Sequence, residues 1–117
     1  MRDHRKLEAF RLADDLALSV YRATQPFPQA ELYGLTSQMR RSAVSVATNI
    51  VEGSARESEK DYVRFLSIAF GSVRELGYLV GLATRLGYLD DEVATDLESK
   101  QNQAAGALGA LIQALKR

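Results

Sequence analysis

The sequence predicts an all-α protein, an antiparallel up-down-up-down four-helix bundle formed by a single domain over residues 1–117. Apolar residues recur at steps of three and four along most of the chain, which is the helical period. The prolines and three of the glycines fall between these periodic segments, and no alternating strand-like run of useful length occurs. Four helices with short connectors pack most simply as antiparallel neighbours.

Four periodic segments are predicted to be helices, at about residues 5–24, 35–52, 59–86 and 91–116. The two prolines, Pro26 and Pro28, follow the first segment, and proline disfavours helical geometry in the residue before it. Gly53 is predicted to end the second helix and Gly87 the third, because glycine readily adopts the left-handed conformation beyond a helix end.

Side chains that can cap a helix N-terminus precede the last two segments. The run from Ser58 to Asp61 approximates a capping box, with Asp in place of the usual Glu or Gln at its third helical position. Either Asp90 or Asp91 can cap the fourth helix.

Composition and charge limit the classes of function. Lysine plus arginine equals aspartate plus glutamate at 15 each, so the chain as a whole has no attraction to nucleic acid or to anionic lipid. The absence of cysteine excludes disulfides, a thiolate nucleophile and a cysteine zinc site. We expect a cytoplasmic protein with no membrane partner, since the N-terminus lacks an apolar leader and no segment reaches the roughly 20 apolar residues of a membrane span.

The sequence contains no recognisable arrangement for catalysis or for binding a metal or cofactor. His4 is the only histidine and lies among charged residues, so one chain cannot build a histidine triad or a multi-histidine metal site. No glycine-rich loop matches a P-loop. Helix-borne carboxylates do not follow the repeated Glu-x-x-His pattern of di-iron bundles; they are Asp14, Asp15, Glu52 and Glu75. We therefore expect no enzyme and no cofactor.

The apolar faces of the first and third segments are wider than one core requires. Each spans roughly 180° on a helical wheel, whereas the fourth spans roughly 120°, as expected for a helix that touches one core. Part of the wider faces should therefore contact another chain or line an uncovered groove. Gly71, Gly77 and Gly81 interrupt the third segment at about 1 kcal/mol each. They indicate either close approach of another backbone, within the monomer or from another subunit, or a weakness that the helix tolerates.

A polar stripe runs along the second segment at spacings of three and four, and it consists of Gln38, Arg41, Ser45, Thr48, Asn49 and Glu52. One interpretation is that the stripe is only the solvated side of the helix. The other is a hydrogen-bonding network, because Ser, Thr and Asn are poor helix formers unless their side chains bond elsewhere. In that network Asn49 and Glu52 would fix the following loop, and Arg41 would pair with Glu52 or with Glu75.

Basic residues in and after this segment are candidates for nucleic-acid contact, namely Arg40, Arg41, Arg56, Lys60 and Arg64. Arg40 lies beside the apolar face, where its stem can pack while the guanidinium reaches an edge or a partner. Glu57, Glu59 and Asp61 are interleaved with the others and reduce the local positive charge.

One pattern covers nearly the whole chain. It is most specific in residues 31–53, which hold the elements Gln-x-x-Arg and Asn-Ile-x-Glu-Gly, and it continues through 60–66, 69–76 and 86–89. This pattern resembles the four-helix-bundle proteins named after the intervening sequences of bacterial 23S ribosomal RNA genes. The resemblance implies a ring-like homopentamer and no enzyme. The residues at matching polar positions are Gln38, Arg41, Asn49, Glu52, Gly53 and Glu75.

The predicted function is that of a non-enzymatic, self-assembling scaffold or adaptor whose partner is a further copy of itself. The alternative is a ring that binds RNA or nucleoprotein. It follows from a related branch, the accessory proteins of diversity-generating retroelements, which are strongly basic and work with a reverse transcriptase and RNA. A ring would bring several weak arginine patches together. A carboxylate-dependent enzyme, the third hypothesis, would require a bound metal.

Overall fold

The computed structural model describes residues 2–117, which form four α-helices joined by short connectors. Helix α1 spans Glu8–Thr24, α2 Leu35–Ser54, α3 Glu59–Arg85 and α4 Asp91–Lys116, and single 3-10 turns lie at His4–Lys6 and Gln29–Glu31. No β-strand occurs between residues 2 and 117. The predicted all-α fold class is confirmed.

The four helices pack in the cyclic order α1, α2, α3, α4. Within residues 2–117 each helix contacts its two neighbours in this order and not the diagonal helix. Successive helices are antiparallel, as α2 and α3 show: Ser45 of α2 bonds Ser72, whereas Gly53, farther along α2, packs on Tyr62 and Phe65 near the start of α3. The bundle therefore has the predicted up-down-up-down topology, with extents of 43 × 23 × 19 Å.

One apolar stripe from each helix fills the core between the four helices. The largest fully buried apolar side chains are those of Leu16, Val20, Met39, Val46, Ile50, Leu66, Val73, Leu76, Val80, Leu97 and Leu108. Fully burying one Leu, Ile or Met side chain contributes about 1.5–3 kcal/mol. The helical periodicity of the sequence thus supplies the main stabilising term.

The predicted N-terminal caps of the last two helices are present. Ser58 Oγ accepts a hydrogen bond from the Asp61 amide at 3.0 Å, at the start of α3. Asp90 Oδ1 accepts one from the Val93 amide at 2.9 Å, so Asp90 rather than Asp91 caps α4.

Gly87 ends α3 as predicted. Its φ of 80° lies in the left-handed region, and the amide of Tyr88 donates to the carbonyl of Ala83 at 3.0 Å. This is the hydrogen-bond pattern of a Schellman C-cap, in which glycine is favoured because it lacks a Cβ.

The first helix begins later than predicted. Asp3 accepts a hydrogen bond from the Arg5 amide at 3.1 Å and so caps a separate 3-10 turn. Leu7 then has extended backbone angles, with φ −84° and ψ 130°, which interrupts the helical backbone. Helix α1 consequently begins at Glu8 and not at residue 5.

The prediction that Gly53 ends the second helix is wrong. Helix α2 continues through it to Ser54, and the backbone remains right-handed at Ala55. Gly53 is buried, and a Cβ there would lie 2.9 Å from the Cβ of Phe65 and 3.2 Å from Cδ1 of Tyr62. The close approach of α2 to α3, rather than a turn, is what requires glycine at this position.

Glu31 joins the two connectors at one end of the bundle. Its Oε1 accepts a hydrogen bond from the Leu35 amide at 3.1 Å, and its Oε2 accepts one from the Tyr88 hydroxyl at 3.0 Å. The hydrogen bond to Glu31 raises the pKa of Tyr88 above its ordinary value. The start of α2 is therefore tied to the loop between α3 and α4.

The wide apolar faces of α1 and α3 are only partly covered. Leu18 and Tyr21 of α1 are 50% and 44% exposed, and Ile68 and Tyr78 of α3 are 44% and 61% exposed.

Helix α3 is long and apolar enough, by length and composition alone, to cross a membrane, which was not expected from the sequence. One third of its most apolar stretch is buried within the bundle. The fold therefore leaves apolar surface on two diagonal helices.

Replacing Gly53 by alanine is expected to destabilise the bundle by about 1 kcal/mol, because overpacking costs about 1–3 kcal/mol and the gain in helix propensity returns up to about 1 kcal/mol. Gly106 of α4 is the matched control, since it is exposed and no atom lies within 4 Å of the place its Cβ would take. Gly106→Ala should stabilise the bundle by up to about 1 kcal/mol. Urea unfolding followed by circular dichroism measures both, and equal effects would contradict the packing role of Gly53.

Candidate functional site

An open polar groove of about 590 Å³ lies between α2 and α3 on the surface of the bundle. Six of its lining residues come from α2 and two from α3: Gln38, Arg41, Ser42, Val44, Ser45, Thr48, Ser72 and Glu75. The helical spacing of the predicted stripe brings four of its members into this groove. Antiparallel packing adds Glu75 from the other helix.

Hydroxyl groups link the two walls of the groove. Ser42 Oγ donates to the carbonyl of Ser72 at 3.1 Å, and the hydroxyls of Ser45 and Ser72 lie 2.9 Å apart. The side-chain nitrogen Nδ2 of Asn49 donates to the backbone oxygen of Ser45 at 2.8 Å and to Ser45 Oγ at 3.0 Å. The hydrogen-bonding interpretation of the stripe is therefore correct for Ser45 and Asn49.

Ser42 and Ser72 are the participants that sequence reasoning missed. Ser72 is one of three Ser or Thr residues in α3 and lies beside the apolar Val73, and this contrast is the only local signal for it. Which residues of α2 bond Ser72 depends on the register between the two helices. The periodicity of either helix alone does not predict that register.

The predicted ion pairs of Arg41 are wrong. In the part of the chain that the structure describes, no ion pair within 4.0 Å joins Arg41 to Glu52 or to Glu75. All three side chains are exposed. Exposed ion pairs are worth only about 0.2–1 kcal/mol, so solvent competes easily for these groups. One cation and one anion of the groove, Arg41 and Glu75, thus remain accessible to a second molecule.

The loop after α2 is not fixed by the side chains of Asn49 and Glu52, which corrects a second part of the predicted network. Asn49 bonds back by one helical turn to Ser45. It is the backbone carbonyl of Glu52 that contacts the loop, accepting from the Ala55 amide at 3.2 Å and from Arg56 Nε at 3.4 Å. Sequence spacing located these residues correctly but not their partners.

Arg40 stabilises the contact between α1 and α2. Its Nε donates to Thr24 Oγ1 at 2.9 Å, and a terminal nitrogen donates to Tyr21 O at 3.4 Å. The guanidinium also lies 4.7 Å from the centre of the Tyr21 ring. A cation at this helix C-terminus interacts favourably with the exposed carbonyls. The guanidinium of Arg40 was predicted to reach an edge of the bundle or a partner, and in the structure it reaches the C-terminal end of α1.

The five candidate nucleic-acid residues form two groups instead of one surface. Arg40 and Arg41 lie roughly 20 Å from the second group along the helix axis, at 1.5 Å per residue. In the second group, the guanidinium groups of Arg56 and Arg64 lie 4.9 and 4.6 Å from the ring of Phe65. Arg64 also pairs with Asp61 at 3.5 Å, and Lys60 is exposed beside them. These five residues therefore do not form one continuous basic surface.

Metal-ligating side chains are dispersed. Within residues 2–117, no group of three or more His, Asp or Glu side chains is close enough together to hold a metal ion. His4 packs its ring against Phe10, with 4.7 Å between the ring centres.

The family model for 23S rRNA-intervening sequence proteins matches residues 5–110. The chain belongs to this family. A solved structure of similar fold is a protein of unknown function from the S23 ribosomal protein family of Bacteroides thetaiotaomicron, with a TM-score of 0.82 and 20% sequence identity over 90% of this chain and 95% of that one. At this identity the likeness shows the fold alone. No curated protein matches.

Family membership confirms the resemblance that residues 31–53 indicated. The description of the family and that of the solved relative name no ligand and no reaction for the groove. The role of the stripe as a binding site stays a prediction.

Two double-mutant cycles are expected to distinguish the bonded from the unbonded pair of the groove. The cycle Ser45→Ala with Ser72→Ala should give a coupling of about 0.5–1.5 kcal/mol, since both hydroxyls share one hydrogen bond. The cycle Arg41→Ala with Glu75→Ala should give a coupling near zero, because no ion pair joins these residues. Urea unfolding measures both, and a larger coupling for the charged pair would contradict the observed geometry.

Proposed function

We propose that this 23S rRNA-intervening sequence family protein is a non-enzymatic building block, which assembles with copies of itself into a closed ring and acts as a scaffold or adaptor. The uncovered apolar faces of α1 and α3 carry this proposal. Single exposed apolar residues are normal on a protein surface. Here two large side chains on each of two long helices remain exposed after folding, namely Leu18, Tyr21, Ile68 and Tyr78.

The positions of these faces favour a ring over a two-fold dimer. Helices α1 and α3 are diagonal in the bundle, so their outer faces point to opposite sides. A two-fold dimer buries the same surface on both copies, whereas contacts between two different surfaces repeat from copy to copy and close into a ring when the rotation allows. Five copies is the number that the family resemblance implies.

The chemistry of the groove supports a non-enzymatic role. A hydroxyl nucleophile requires a general base within hydrogen-bond reach. The hydroxyls of Ser42, Ser45 and Ser72 instead bond to one another and to a backbone carbonyl. Glu75 makes no hydrogen bond to any of them among the described residues. The groove is therefore better suited to contact a partner than to transform a substrate.

The alternative, binding of RNA or nucleoprotein by the ring, has less support from the geometry. Arg40 is engaged with α1, and Arg56 and Arg64 pack on Phe65. Arg41 and Lys60 are exposed and form no ion pair among residues 2–117, and a ring would repeat both in every copy. Salt-dependent RNA binding that is lost in Arg41→Glu, with the particle intact, would favour this alternative.

Purified protein at micromolar concentration is expected to form one particle whose mass is a whole multiple of the 12.9-kDa chain, five-fold by the family resemblance. The physical reason is the burial of the exposed side chains of α1 and α3, at about 25 cal/mol per Å² of apolar surface. Light scattering coupled to size exclusion, together with native mass spectrometry, measures the mass. A monomer under these conditions would overturn the proposal.

A further inference from the structure

We infer that a small cavity at the start of α2 is a binding site for ordered water, which joins α2 to the end of α1 and to the connector between them. The cavity has a volume of about 70 Å³ and lies where the last turn of α1, the connector of residues 25–34 and the first two turns of α2 meet. Its lining includes Thr24, Thr36 and Arg40. The site belongs to a single chain and does not depend on the proposed self-assembly.

The hydroxyl of Thr36 is the polar group that requires a partner. The residue is 4% exposed, and its Oγ1 is fully enclosed but makes no hydrogen bond to any group within residues 2–117. Burying a hydroxyl without a partner is costly, because its hydrogen bonds to solvent are lost. Buried polar groups in native proteins are in the large majority satisfied, either by protein or by ordered water. A ligand that can hydrogen-bond Thr36 is therefore expected in this cavity.

Helix α2 does not supply the missing partner. Three other threonines donate to the carbonyl four residues earlier, at 2.7–3.0 Å: Thr24, Thr48 and Thr84. The corresponding carbonyl for Thr36 belongs to Leu32, which precedes α2. Between them the backbone of Gly34 has φ −115° and ψ −114°, far from helical angles, and the amide of Thr36 makes no hydrogen bond to Leu32 either. The break that begins α2 thus removes the usual acceptor.

A second partner for a water lies one helical turn away. Arg40 follows Thr36 by four residues, so the two side chains are neighbours on one face of α2. Its Nε donates to Thr24 Oγ1 and its Nη2 to Tyr21 O, whereas its Nη1 has no acceptor among residues 2–117. A buried water typically makes about three hydrogen bonds. One that accepts from Arg40 Nη1 and bonds Thr36 Oγ1 joins two groups that otherwise have no partner.

The mixture of donors and acceptors around the cavity favours water over an ion. Arg40 and the start of α2 supply donors, whereas the last turn of α1 supplies carbonyl acceptors. The carboxylate of Glu31 already accepts from the amide of Leu35, next to Thr36. An anion would be repelled by this carboxylate and by the carbonyls, and a cation by Arg40. Water both donates and accepts, so it fits every side of the cavity.

The size and position of the cavity also suit water. One water takes about 30 Å³ in the liquid, so a volume of about 70 Å³ has room for one or two. The exposed residues Gln25 and Gln29 line the cavity on the connector and give solvent access to it. The bound water therefore contacts the connector as well as both helices.

A high-resolution crystal structure of the wild-type protein, grown without phosphate or sulfate, tests the site directly. We expect ordered density for a water within about 3.2 Å of both Thr36 Oγ1 and Arg40 Nη1. A direct hydrogen bond from Thr36 Oγ1 to a protein carbonyl, or no density beside this hydroxyl, would overturn the inference.

The variant Thr36→Val measures what the water contributes, because valine has nearly the shape of threonine without its hydroxyl. Loss of the hydrogen bonds to water should lower the folding equilibrium constant about fivefold. A hydroxyl without a partner gives the opposite sign, since valine then removes only the cost of burying it. Thr95→Val, at an exposed position near the start of α4, is the matched control and should change the constant less than about twofold. Urea unfolding followed by circular dichroism measures both, and a stabilised Thr36→Val protein contradicts the inference.

A comparison of salts separates water from an anion at the same place. The difference in melting temperature between wild type and Thr36→Val should stay the same when sodium phosphate replaces sodium chloride at one pH and ionic strength. General effects of phosphate on folding act on both proteins and cancel in this difference. Stabilisation by phosphate that the wild type shows and Thr36→Val lacks would assign the cavity to an oxyanion and overturn the inference.

Discussion

The close packing of α2 on α3 is the constraint on which the rest of the structure depends. Gly53 permits it, because any larger residue would meet the side chains of Tyr62 and Phe65. The hydrogen bonds from Ser42 and Ser45 to Ser72 then determine the register of the two helices. With spacing and register determined, the stripe of α2 and the residues of α3 form one groove, in which Arg41 and Glu75 remain accessible.

The same packing explains why apolar surface remains. A helix in a four-membered bundle has two neighbours and one core, and it can bury only one side. The apolar faces of α1 and α3 extend past that side, to Leu18 and Tyr21 on one helix and to Ile68 and Tyr78 on the other. Because these helices are diagonal, neither can cover the other. The monomer therefore leaves apolar surface uncovered, which is why we propose that copies of the chain cover it.

Much of this fold could be predicted from single residues and their spacing. Ser58, Asp90 and Gly87 act at helix ends through local hydrogen bonds and local backbone angles, so local sequence was sufficient for them. The role of Gly53 was predicted wrongly, because a glycine that ends a helix and a glycine that allows two helices to pack closely look alike in sequence. What distinguishes them here is the contact of Gly53 with Phe65, which lies twelve positions away in the sequence.

By itself the sequence determined the helices, their topology and the residues of the polar stripe, because periodicity and capping act over one or two helical turns. Only the tertiary structure decided which residues those side chains meet: Ser45 bonds Ser72, and Arg40 bonds the end of α1. Among residues 2–117 it forms no ion pair between Arg41 and Glu52 or Glu75. It also divided the three glycines of α3, by showing that Gly77 packs within the chain and that Gly71 and Gly81 do not. These choices depend on the spacing and register between helices, which are properties of the packed bundle and of no single segment.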